Sequence, residues 1–157
     1  LTMYLMGNAK PVTVSGSTYK KFEHTSHSKM DVEDLAMGFI RFDNGACLQI
    51  EFSWASNIAG DQIFVELRGE KAGSRLSAID NKLEIFTEEY GNNVTVSPSI
   101  NDYNCMPHHE ANIRHFVDVI NGRCEPDFTP EQGLNMVKIL EALYKSAESG
   151  HEISLVD

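Results

Sequence analysis

The sequence predicts an α+β domain: a twisted, largely antiparallel open β-sheet with helices packed on one face. Three observations lead there. Segments that alternate apolar and polar residues occupy the first hundred positions. Two amphipathic helical segments with capping signals follow them. Strands gathered first and helices second suit segregated layers rather than the strand–helix alternation of a parallel sheet.

The chain starts with "LTMYLMGN". Leu1, Tyr4 and Leu5 have the spacing of the last turn of an amphipathic helix, and Gly7-Asn8 is its stop. One turn cannot hold itself, so residues before about Gly7 are expected to fray or to be held only by packing. In "PVTVSGSTYKKF", Val12 and Val14 alternate with Thr13 and Ser15 as a half-buried strand does. A polar loop, "EHTSHSKMDVED", leads to a hairpin: "LAMGFIRF", the turn Asp43-Asn44-Gly45, then "ACLQIEFSWAS". Leu48, Ile50, Phe52 and Trp54 fall on one face of the second arm, and Gln49, Glu51 and Ser53 on the other.

"QIFVELRG" repeats the alternation through Ile63, Val65 and Leu67, and "KLEIFTE" is another short strand. "GEKAGS" and "EEYGNN" read as turns. The first long helix carries Ile113, Phe116, Val117 and Ile120 on one stripe and stops at Gly122. The second starts with a capping box, Thr129 with Gln132 and Pro130 between them, and its predicted core stripe is Val137, Leu140, Tyr144 and Ala147. Gly150 ends it, and "HEISL" is a final strand. No repeat or low-complexity linker divides the 157 residues, which read as a single domain.

Charge and composition exclude some classes of function. Thirteen basic against 23 acidic residues leave a net charge of -10, which argues against nucleic acid as a partner. No apolar run approaches the roughly 20 residues of a membrane helix, so no membrane partner is expected. Cys47, Cys105 and Cys124 fit no zinc spacing, and Cys47, in a strand, is expected to be a buried thiol. Without a charged-plus-apolar leader, the expectation is a reduced, cytoplasmic protein. The Asn93-Val94-Thr95 sequon is then a chance match.

Chemistry is hard to find in the residues alone. "HHEANIRH" starts like the zinc motif HExxH, but position 113 is Ile, so no metal site is expected. His108 and His109 at a helix start suit a polar or anionic ligand, and Trp54 could form an aromatic wall. These three are the candidate substrate contacts, although polar surface and core packing are the commoner roles for such residues. His24, His27, Lys29, Asp31, Glu33 and Asp34 form a mixed-charge loop that could overhang a site and is more often simply solvated. There is no glycine-rich phosphate loop after a strand, no GxSxG elbow and no evident nucleophile–base pair.

Three longer runs carry a resemblance: "YLMGNAKPVTVSGSTYKKF", "DVEDLAMGFIRFDNGACLQIEFSWAS" and "HEANIRHFVDVINGRCEPDFTPEQGLNMVKILEALYKSAESGHEISL". In content and order they resemble the C-terminal domain of the glucose-fructose oxidoreductase / inositol dehydrogenase / rhizopine catabolism (Gfo/Idh/MocA) family, over nearly the whole chain. The resemblance implies an enzyme that uses NAD or NADP to oxidise or reduce a sugar, polyol or related hydroxyl compound. It implies an N-terminal Rossmann domain, here absent, that carries the glycine-rich cofactor motif and a catalytic Lys. It also implies an Asp/His motif on a helix just before the "YLMG" segment.

None of those motifs has a counterpart here, so no catalytic residue, cofactor-binding residue or metal ligand is carried over. The expected role is that of substrate-pocket and subunit-assembly domain, inactive alone and with no cofactor bound to the fragment. Its partners would be its own Rossmann domain, a sugar or polyol substrate and further copies of itself through the sheet. The polar sheet face, with Gln49, Glu51, Glu66 and Arg68, is the expected contact between copies. The alternative is a stand-alone, non-catalytic binding or oligomerisation module of the same fold. A metal-dependent hydrolase built on the histidines is disfavoured by the broken motif.

Overall fold

In the computed structural model of the chain, the described residues are 1–21, 32–98 and 108–156, and of His108 only the backbone is described. His24, His27, Lys29, Asp31 and Cys105 lie outside them. The α+β class holds, with the strands divided between two antiparallel four-stranded sheets. The chain forms two compact units, Leu1–Asn57 with Asp127–Asp157, and Ile58–Pro126. Among the described residues no helix is long and apolar enough to cross a membrane.

In the first unit the helical turn α1 (Thr2–Leu5) precedes β1 (Pro11–Tyr19), β2 (Leu35–Phe42) and β3 (Cys47–Ser53). The long helix α3 (Pro130–Ser149) and the short β8 (Ile153–Ser154) complete it, with strand order β3-β2-β1-β8. The hairpin register pairs Val14 with Ile40 and Ile40 with Leu48, so one face of the sheet is apolar along the whole row. Gly45, at φ +83°, supplies the left-handed residue of the β2–β3 turn.

Helix α3 covers that apolar face. Ile139, Ala142 and Leu143 join Val14, Ala36, Ile40 and Phe42 in the core. The expected stripe is therefore corrected: Val137, Leu140 and Tyr144 are exposed, and the buried face is Ile139, Ala142, Leu143 and Ser146. The reason is local. Gly16 and Gly38, paired across β1 and β2, open a notch that receives Leu143. Small Ala142 and Ser146 let the helix come close, and the Ser146 hydroxyl accepts the Gly16 N–H at 2.9 Å. The helix starts as the sequence predicts, with the Thr129 and Gln132 side chains each accepting the other's backbone N–H, and stops at Gly150, φ +71°.

Three further expectations change in this unit. Helical geometry starts at Thr2, and it is Met3 and Met6, not Leu1, Tyr4 and Leu5, that pack against the core. Cys47 is exposed, because β3 is an edge strand and Cys47 opposes Arg41 on the face away from α3. Phe52 and Trp54 continue the face of Leu48 and Ile50 but stand exposed, whereas Leu48 and Ile50 are half-buried against the core.

The second unit is a meander of β4 (Phe64–Arg68), β5 (Gly73–Ser77), β6 (Lys82–Glu89) and β7 (Asn92–Val96), followed by α2 (His108–Ile120). Val65, Leu67, Leu76, Leu83 and Ile85 make its half-buried face, while Ile63 lies before β4 and is exposed. Strands β5 and β7 run through "GSRLS" and "NNVTV", whose first residues the sequence pattern assigns to turns. Pairing on both sides of β5 outweighs the weak strand preference of its Gly and Ser. Tyr90-Gly91, both at positive φ, form the expected β6–β7 turn. On α2 the stripe Ile113, Phe116, Val117 and Ile120 is exposed.

The expected subunit face is also corrected. Gln49 and Glu51 belong to β3 in one sheet, and Glu66 and Arg68 to β4 in the other, so the four do not share a sheet face.

Candidate functional site

A cluster of hydrogen bonds gathers where β2 starts and β3 ends. Asp34, just before β2, is buried, with only 1% of its surface exposed. Its N–H donates to the Tyr19 carbonyl at 2.8 Å, and its carboxylate accepts the Lys21 N–H. Its carbonyl accepts from the Ser53 hydroxyl at 2.9 Å and the Trp54 N–H at 3.2 Å. One residue thus ties the end of β1 to the end of β3. A buried carboxylate is tolerated where a backbone N–H, here that of Lys21, answers it.

Trp54 follows directly. Its indole Nε1–H donates to the Glu33 carbonyl at 2.6 Å, while the residue stays 51% exposed. The Glu33 side chain turns the other way and accepts the Tyr144 hydroxyl of α3 at 2.5 Å. That bond holds the Glu33 carboxyl below the usual carboxylate range and, reciprocally, raises the Tyr144 phenol. Around Trp54, Ser53 and Ser56 share a hydroxyl–hydroxyl contact at 2.5 Å. The corner thus places a half-exposed aromatic side chain beside two serine hydroxyls.

The candidate histidines belong to the other unit. His108 and His109 start α2 in the second unit; His109 is exposed, and the His108 side chain lies outside the described residues. Trp54 belongs to the first unit, so the three candidates are not drawn from one structural unit. Among the described residues no group of three His, Cys, Asp or Glu side chains gathers as a metal site. A shallow groove of about 240 Å³ in the second unit runs past Ile63, Phe64, Asp61 and Asp80. The Arg75 guanidinium there lies over the Phe64 ring, 4.4 Å from its centre.

A nicotinamide dinucleotide does not fit the described residues. Its pyrophosphate calls for a glycine-rich turn between a parallel strand and a helix N-terminus. Among the described residues every strand pair is antiparallel, and the first turn of α3 is closed by its own Thr129 side chain.

The sequence pattern puts Glu33 only in a mixed-charge loop that could overhang a site or be simply solvated, and Tyr144 in a core stripe. The bond between them spans 111 positions and follows no local spacing, so no motif could have signalled it.

Residues 1–155 match the model of an oxidoreductase family's C-terminal alpha/beta domain. D-glucoside 3-dehydrogenase of Escherichia coli (strain K12) is 29% identical, over 98% of this chain and 45% of that protein. An oxidoreductase domain protein from Kribbella flavida has the same fold at a TM-score of 0.81 and 17% identity, covering 99% of this chain and 47% of the other. The WlbA dehydrogenase of Bordetella pertussis, solved with NADH and UDP-GlcNAcA, gives a TM-score of 0.68 at 21% identity, over 100% of this chain and 42% of that one. The chain thus spans less than half the length of these relatives.

Proposed function

The chain belongs to the Gfo/Idh/MocA oxidoreductase family as its C-terminal α/β domain, and from that membership we propose that it is the substrate-pocket and assembly half of an NAD(P)-dependent sugar or polyol dehydrogenase. The observation that carries this is the match over residues 1–155 combined with coverage of only 45% of the E. coli glucoside dehydrogenase. An N-terminal Rossmann domain would supply the dinucleotide site, which the described antiparallel strands do not provide. It would also supply the group that takes the hydroxyl proton as hydride leaves the carbinol carbon.

In this reading Trp54, His108 and His109 contact the substrate. Trp54 has the strongest support, because its aromatic surface is exposed while its N–H is held. Copies of the enzyme associate through the face of the first sheet turned away from α3, where Gln49 and Glu51 lie beside Phe39 and Arg41. The enzyme is cytoplasmic, and the 157-residue chain alone binds no dinucleotide and turns over no substrate.

The coding sequence immediately upstream of Leu1 tests this reading. An in-frame strand, glycine-rich turn and helix supports it. A natural start codon at that point overturns it in favour of a stand-alone module.

A further inference from the structure

We propose that Tyr144 is a positioning residue for the Trp54 indole, acting through Glu33, and that the relay presents the ring as a wall on which a sugar or polyol ring stacks. The stacking half of this inference rests on the function proposed above; the relay does not.

Tyr144 projects from α3 and donates to Glu33 Oε1 at 2.5 Å. The carbonyl of the same Glu33 accepts the Trp54 Nε1–H at 2.6 Å. Asp34, next in sequence, fixes the Trp54 backbone through its own carbonyl at 3.2 Å. The backbone of Trp54 is therefore held by one residue and its side chain by the neighbour. With its one polar atom engaged, the indole surface left to solvent is π-face and C–H edge, which suits the C–H faces of a pyranose. A charge-assisted bond between phenol and carboxylate is directional enough to fix Glu33 against the helix. Tyr144 is 44% exposed and lies outside the apolar core, and that bond links it to the residue two before β2.

Trp54 is the single tryptophan of the chain, so tryptophan emission, excited selectively beyond the tyrosine absorption, reports this site alone. Tyr144→Phe and Glu33→Ala remove the link, whereas Glu33→Gln keeps an acceptor oxygen. Circular dichroism identifies which variants fold, and Glu33→Ala carries the comparison if Tyr144→Phe does not. The expected result is a red-shifted emission, lower anisotropy and a larger acrylamide quenching constant in Tyr144→Phe and Glu33→Ala. The double variant should add nothing further, and Glu33→Gln should stay near the parent. Unchanged emission and quenching in the folded single variants overturns the relay.

Titration with a methyl D-glucoside then addresses the wall. A saturable change in Trp54 emission, weakened in Tyr144→Phe, supports it. Loosened Trp54 in the variants together with a parent that ignores the glucoside leaves the relay standing and overturns the sugar wall.

Discussion

Leu143 of α3 sits so closely over Gly16 of β1 that a β-carbon at position 16 would lie 2.6 Å from its Cγ. Gly38, the cross-strand partner of Gly16, meets the same side chain at 2.8 Å. The glycine pair is thus the socket that fixes the height and rotation of the helix. Gly16→Ala or Gly38→Ala is expected to destabilise the first unit by about 1–3 kcal/mol through overpacking. Leu143→Ala should cost about 2–5 kcal/mol through the cavity it leaves. Because both effects arise at one contact, Gly16→Ala with Leu143→Ala should cost less than the sum, with a coupling of about 0.5–3 kcal/mol. Urea denaturation of the four proteins measures it, and strict additivity would refute the socket.

Ser146 makes a second claim on the same strand. Its buried hydroxyl accepts the Gly16 N–H at 2.9 Å. Ser146→Ala removes the acceptor and leaves a partly buried donor, at an expected cost of about 1–3 kcal/mol. Thr at this position should restore part of the loss, since it keeps the hydroxyl. Equal midpoints for the parent and the Ala variant would show the bond to be idle.

The fold was legible in outline for reasons that particular residues make plain. The β2–β3 hairpin could be read because its turn, its alternation and its length all lie within one short window, and the capping box at Thr129 is local in the same way. The buried side of α3 was not legible. Leu140 and Leu143 are equally apolar, and only the glycines of two distant strands decide which one enters the sheet. Strand β5, rich in Gly and Ser, owes its existence to neighbours on both sides rather than to its own sequence. The site was less legible still. Trp54 could be singled out as an aromatic at a strand end, but the Glu33–Tyr144 bond exists only once α3 is docked.

That bond has a pH signature. Glu33 is held below its ordinary value by the Tyr144 hydroxyl, so its contribution to stability is present above the unfolded carboxylate value of about 4.3 and fades as pH falls through the lower folded value. Tyr144 is raised, so its share is present below about 10 and fades as pH rises through the higher folded value. Both groups are largely solvated, which limits the effect at neutral pH to about 1 kcal/mol or less. The melting temperatures of the parent and Tyr144→Phe should therefore differ near pH 7 and converge as acidification carries the solution below the unfolded and then the lowered folded Glu33 value. A gap that persists unchanged through that range would show that Glu33 is not the partner.

In the longer sugar dehydrogenase proposed above, Trp54→Ala should raise KM more than it lowers kcat. The loss of an aromatic contact worth about 0.5–1.5 kcal/mol corresponds to roughly two- to tenfold. Trp54→Phe should recover most of it. Steady-state kinetics across the three proteins decides, and a kcat loss with KM unchanged would remove Trp54 from the binding wall.

In the proposed function, this chain shapes a site whose cofactor and proton acceptor come from a preceding domain. The most direct test of this is the rate of NAD(P)H formation with a panel of glucosides and polyols, measured for the 157-residue chain alone and for the same chain joined to its upstream coding region. Turnover is expected only in the joined protein, with no dinucleotide binding by the chain alone. Coenzyme-linked turnover by the isolated chain, or a joined protein that binds NAD(P) yet oxidises none of the panel, would contradict it.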